Sequence, residues 1–213
     1  MQDWHRQFID VVRSFGRDRR NRAKYGPEAP RVAERIWIEP KAVEWSIKVL
    51  PQGVSTRNSS ALVVDYQAAG IIEVPLMNWP QMRSCYQHWC EDVPWEETED
   101  YAVLRRAVDE HRKMAGCRTH EDIQRRFKQL DEMFSALARG GRFKTRKELH
   151  GWNFREHGGI QIGIDASSRP VLVRGCGFHR LAMAKILELP RIPVQIGVVD
   201  VNAIAQLDSF RRA

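Results

Sequence analysis

The residues best suited to chemistry lie in one run, Val171-Leu-Val-Arg-Gly-Cys-Gly-Phe-His-Arg180, followed by Leu181-Ala-Met-Ala-Lys-Ile-Leu-Glu-Leu189. Val171 to Val173 read as a short buried strand. Gly175 and Gly177 permit a positive φ or a close backbone approach in the turn that follows. From Leu181 the apolar residues take helical spacing. A turn feeding a helix start presents unpaired N–H groups and the positive end of a dipole, which suits an anion such as phosphate. Arg174, Gly175, Cys176, Gly177, Phe178, His179 and Arg180 are therefore the candidate nucleotide- or phosphate-binding residues. His179 adds a titratable donor and Arg180 a bidentate fork. Pairing of Arg180 with a carboxylate, helix capping by His179 and an outward strand position for Arg174 are the structural alternatives.

A second group is acidic. Val93-Pro-Trp-Glu-Glu-Thr-Glu-Asp100 supplies Glu96, Glu97 and Glu99 as candidate catalytic carboxylates, able to serve Mg²⁺ or act as a general base. Carboxylates in a first helical turn are also what the helix dipole favours. The histidines and the four cysteines (Cys85, Cys90, Cys117, Cys176) match no metal spacing, so no metal ligand is assigned. Asp165 is expected to form an Asx turn.

The elements that must position these residues follow from periodicity. Trp4, Phe8, Val11, Val12 and Phe15 fall on one face of a helix over residues 3–15, ended by Gly16. Its aromatic face is expected to dock on the protein's own core, with the arginines left in solvent. Residues 26–30 read as a linker. Residues 35–40, 61–64 and 70–75 read as strands, and residues 52–60 as an exposed loop. Helices are predicted over 81–90, 96–114 and 119–139, the last with Thr119 as N-cap, Asp122 at N3 and Gly140-Gly141 as its stop. Ile160–Ile164, the turn Asp165–Pro170 and Val171–Val173 form a hairpin. Arg191–Val198 is a further strand, and a short helix starts at Val201.

Residues 159–199, about a fifth of the chain, resemble the ParB/sulfiredoxin-like fold. The matching pieces are the hairpin, Gly177-Phe-His-Arg180, the helix Leu181–Leu189 and the Ile-Pro-Val strand. Val93–Asp100, with Gly116–Thr119 and the helix after it, is similar to uncharacterised bacterial and archaeal proteins that end in a ParB-like hairpin. The resemblance implies an α+β fold, a small mixed sheet with a helical insertion and an N-terminal helix. It divides the chain into an N-terminal basic helix and linker (1–30), a strand region (31–79), a helical insertion (80–144) and the ParB-like hairpin, anion-binding turn and helix (145–213).

Family members include CTP-binding chromosome-partition proteins, sulfinic acid reductases and free-serine kinases, which bind nucleotide or phosphate at that turn. The implied function is thus a nucleotide- or phosphate-binding protein. One form is a kinase passing phosphate from ATP or CTP, with Mg²⁺, to a small molecule or sugar. The other is a non-enzymatic nucleotide-sensing or nucleic-acid-binding module. Two departures narrow this. Phe178 stands where the reductases carry their catalytic Cys, and Cys176 lies two residues earlier. No helix-turn-helix is recognisable after the last strand.

The net charge is +7. More than half of it comes from residues 1–24, where Arg6, Arg13, Arg17, Arg19, Arg20, Arg22 and Lys24 face only Asp3, Asp10 and Asp18. Such a cluster suits an anionic partner, a nucleic acid or a membrane surface; a solvated basic helix is the alternative. No signal peptide and no spanning apolar stretch is present, and the free thiols point to the cytoplasm.

Overall fold

The structure, a computed structural model, describes residues 2–212, with side chains from Ser14 onward except that of Arg57. It is α+β, and it divides into two compact units. Unit 1 takes residues 1–74, 144–177 and 190–213; unit 2 takes 75–143 and 178–189.

Unit 1 holds one mixed sheet of seven strands: β1 (Arg35–Ile38), β2 (Trp45–Val49), β3 (Leu62–Val64), β4 (Ile72–Pro75), β5 (Gln161–Ile164), β6 (Pro170–Val173) and β7 (Ile192–Asp200). The order is β1-β7-β5-β6-β2-β4, with β3 also on β7. β7 is buried at every position, as a largely apolar central strand should be; its Gln195 and Asp200 are bonded to Gly158 N and Tyr66 N. It pairs antiparallel with β1 and parallel with β3 and β5. At Gly163 in β5 a Cβ would sit 2.7 Å from Tyr66 Oη and 2.8 Å from the Val198 carbonyl, so the strands close only because that residue has no side chain. One apolar cluster gathers Ile47, Tyr66, Val171, Val173 and Val198.

Two helices flank this sheet in sequence. α1 runs Gln2–Tyr25, so Gly16 does not end it. A lone glycine costs a helix only about 1 kcal/mol, and the following arginines, alanine and lysine are good helix formers. The anchoring of its C-terminal half is polar. Asn21 Nδ2 donates to the carbonyls of Pro30 and Ala61, each at 2.9 Å. Asp18 accepts from Val32 N (2.7 Å) and pairs with Arg155 (2.7 Å). Arg17 is not left in solvent: it donates to the carbonyls of Asn58 and Ser60. Phe15 is 59% exposed, while Trp4, Phe8, Val11 and Val12 lie outside the described side chains. At the other end, η-type turns at Val201–Gln206 lead into a short C-terminal helix at Leu207–Arg211. Its Arg211 bonds the buried Glu34 at 2.8 Å.

Unit 2 is helical: α2 (Pro80–Glu91), α3 (Glu99–Asp109), α4 (His120–Ala138) and α6 (Phe178–Ile186), α5 being the single turn Arg146–Leu149 of unit 1. α4 starts where expected, with Thr119 and Asp122 closing a capping box. Its Ile123, Phe127, Leu130 and Leu137 are buried on one face. The predicted helix 96–114 is corrected. Trp95–Glu97 form a 3₁₀ turn, Thr98 caps α3, and α3 stops at Asp109. The chain then turns through His111, Ala115 and Gly116 at positive φ.

Candidate functional site

The turn after β6 is held by local bonds. Cys176 N donates to the Val173 carbonyl (3.2 Å), and Gln161 N to the Cys176 carbonyl (3.1 Å). Gly175 has φ +77° and open space around its missing Cβ, so its backbone stands clear for a ligand at a φ that L residues resist. Gly177 (φ +106°) has a different role: a Cβ there would meet Ile160 at 3.0–3.2 Å.

β2 runs parallel to β6, pairing Trp45 with Val171 and Ile47 with Val173. Parallel strands end at the same sheet edge, so Lys48 and Val49 arrive beside Arg174 and Gly175. The loop after β2 closes the other side. Val54 N bonds the Pro51 carbonyl, and Ser55 N donates to Asn58 Oδ1 at 2.7 Å, fixing the turn Thr56–Asn58. Together Lys48, Val49, Leu50, Val54, Ser55, Thr56, Arg174 and Gly175 line a cavity of about 420 Å³. Its wall is mainly apolar, with Lys48, Arg174 and Thr56 as polar lining residues, while the Ser55 hydroxyl donates to Asn58 Oδ1 at 3.2 Å. None of the described residues that line it is acidic.

The remaining candidate residues open α6 in unit 2. Phe178 is buried, its ring 5.1 Å from that of Trp79. His179 sits in the first helical turn, and its Nε2 lies 2.8 Å from Asp100 Oδ2. A carboxylate only accepts, so Nε2 carries the proton of this bond. Asp100 is 2% exposed, and its backbone N–H donates to the buried Ser84 Oγ at 3.0 Å. His179 is therefore committed to a buried partner on α3. Arg180 is half-buried and partnered.

Glu96 and Glu97 stand exposed on the 3₁₀ turn, and Glu99, exposed at the start of α3, pairs with Arg83. They belong to unit 2, whereas Arg174 to Gly177 belong to unit 1. Cys176 is half-buried and packs against the Ile47–Val173 cluster. The thiols of Cys85 and Cys117 are buried, and burial pushes both up from the usual thiol range. Asp165 forms the Asx turn: its Oδ1 accepts from Ser167 N (2.9 Å) and Arg169 N (2.8 Å).

Lys48, Ser55 and Thr56 are not among the residues expected from sequence, because 41–51 has no assigned element and 52–60 reads as loop. Asp100 as a partner for His179 is not expected from it either. A signal was present there: Asp100, Leu104, Ala107 and Val108 share the inward face of α3. Among the described residues no group of three or more His, Cys, Asp or Glu is placed to hold a metal ion, and no helix is long and apolar enough to cross a membrane. Comparison of the chain with protein-family models, with curated proteins and with solved structures returns no match.

Proposed function

We propose that the protein binds a nucleotide or another phosphate ester in the unit 1 cavity. The observation that carries this reading is the set of polar groups Lys48, Arg174 and Thr56 with the open backbone of Gly175, around about 420 Å³. That volume is within the usual range for small-molecule sites. The two cations match an anionic head group, the guanidinium in fork geometry. Val49, Leu50 and Val54 offer an apolar wall to a base or another flat group.

The strand–turn–strand–turn–helix–strand order of β5, β6, α6 and β7 accords with the ParB/sulfiredoxin-like resemblance, and supports phosphate as the anion. Mg²⁺ fits the cavity less well. With no acidic side chain among the described lining residues, a cation would be carried by the ligand's own phosphates and water. Phosphoryl transfer needs a group to orient or deprotonate the acceptor, and the lining offers no carboxylate for it. Binding, rather than kinase chemistry, is thus the function put forward.

Thermal shift and calorimetry against ATP, CTP, GTP, ADP and inorganic phosphate, with and without Mg²⁺, test it. A ligand at about 100 times its Kd stabilises the fold by about 2.7 kcal/mol. Arg174→Ala and Lys48→Ala should each weaken binding about tenfold or more, the loss of one charge-assisted contact. No shift with any of these ligands, or unchanged affinity in both variants, overturns the assignment.

A further inference from the structure

Unit 1 presents a second surface, independent of the cavity. Trp152 is 100% exposed. It stands at the tip of a tight turn, closed by Asn153 N on the His150 carbonyl at 2.8 Å. The base of the turn is fixed. His150 N bonds the Arg146 carbonyl of α5, and Asn153 Nδ2 reaches the carbonyls of Arg155 and His157. A rigid base with the largest apolar side chain wholly in water is unusual, since tryptophan is normally well covered.

The turn abuts α1. Phe154 meets Phe15 edge-on at 6.4 Å, and Arg155 pairs with Asp18 at 2.7 Å. Residues four apart share a helix face, so Arg19, four past Phe15, and Arg22, four past Asp18, continue this flank toward the helix end. Both are exposed. Exposed Lys147 and exposed Leu149 (49%) lie on α5, directly before the turn in the chain. Of the nearby carboxylates, Asp18 is paired with Arg155, while Glu148 accepts from the Thr145 hydroxyl and keeps its charge, one against the three cations.

From this arrangement we infer that unit 1 docks on an anionic lipid surface, with Trp152 inserted at the headgroup level and Arg19, Arg22 and Lys147 against lipid phosphates and carboxylates. The shape favours a bilayer. A wholly exposed indole, with exposed Leu149 just before it in the chain and exposed Phe15 against the neighbouring Phe154, suits a deformable, partly apolar partner, and tryptophan prefers the membrane–water interface. The cations supply the electrostatic attraction, about fivefold in partitioning for each one near the surface.

The test is co-sedimentation of the full chain with phosphatidylcholine vesicles and with phosphatidylcholine–phosphatidylserine vesicles. Binding is expected to the mixed vesicles at low salt, to be absent with phosphatidylcholine alone, and to be lost at high salt. Trp152→Ala should lower binding at least fivefold, and joint reversal of Arg19 and Arg22 to Glu more than tenfold. Trp152 makes no buried contact, so its variant should keep the wild-type melting curve. Lys147→Glu is the second variant, free of any change in apolar area. Phosphate stabilisation, read in parallel, should be untouched by all of them, which separates this surface from the cavity. Absence of binding to anionic vesicles at low salt overturns the inference, and so does full binding by Trp152→Ala. Capture by a single-stranded oligonucleotide with no vesicle binding overturns it in favour of a nucleic acid.

Discussion

Asn21→Ala tests how α1 is attached. Its side-chain amide donates to two buried carbonyls, Pro30 O and Ala61 O, both at 2.9 Å. Alanine removes both donors and offers nothing in return, and Ala61 is fully buried. Two neutral hydrogen bonds at about 1 kcal/mol each, plus part of the penalty for stranding two carbonyls, give a loss of about 2–3 kcal/mol. For a chain of this size that lowers Tm by about 4–12 °C. Phe15→Ala should cost less than about 1 kcal/mol, because the ring is mostly in water and loses chiefly its edge contact with Phe154. Urea denaturation followed by circular dichroism measures both. If Asn21→Ala lies within about 0.5 kcal/mol of wild type, the polar latch is not what holds the helix. If Phe15→Ala is the costlier change, the aromatic face holds it instead.

Gly163→Ala should destabilise by about 1–3 kcal/mol, because its methyl would sit 2.7 Å from Tyr66 Oη and 2.8 Å from a backbone carbonyl; a wild-type urea midpoint contradicts the packing argument. Glu73 is held above the usual carboxylate range, chiefly by burial and then by Asp165, with Arg169 opposing. A raised carboxyl binds its proton more tightly in the folded state. Its stabilising contribution is therefore complete below the unfolded-state value and is lost as pH rises through the folded one. Glu73→Gln should then flatten the fall of Tm between mildly acidic and neutral pH, and a steeper fall would reverse the sign. Asp131 accepts from the indole N–H groups of Trp89 and Trp95 and faces His88 Nε2 at 3.1 Å. Asp131→Ala should cost about 1–2 kcal/mol and shift tryptophan emission, with Asn costing less; equal effects of Ala and Asn would remove the hydrogen-bonding explanation.

What the sequence revealed and what it hid divide along local and non-local physics. The hairpin Gln161–Val173, the run Ile192–Asp200 and α4 were legible because each carries its own signal: alternating turn chemistry, continuous burial, a capping box. For β2, Trp45-Ser-Ile-Lys-Val49, what the sequence does not show is its partner: it pairs in parallel with β6, far along the chain. Half of the cavity comes from that pairing, so Arg174 and Gly175 could be read as anion-binding residues while Lys48, Ser55 and Thr56 could not. The helix predicted over 96–114 starts late for a local reason: the Thr98 hydroxyl donates to the Trp95 carbonyl at 2.7 Å and closes the 3₁₀ turn that holds Glu96 and Glu97 outside α3.

His179 shows the same division from the other side. Its neighbours Gly175 and Gly177 made it read as a phosphate donor, because sequence proximity was the only proximity available. In the fold its Nε2–H is used by Asp100, a carboxylate 2% exposed and held in turn by α3 and Ser84. Removing either partner would strand a buried polar group, so the pair first answers the requirement that buried charge be bonded. Lys48 and Arg174 are exposed cations beside the sheet-edge cavity. The proposed phosphate site therefore rests on the sheet-edge residues of unit 1 and not on the His179–Asp100 pair.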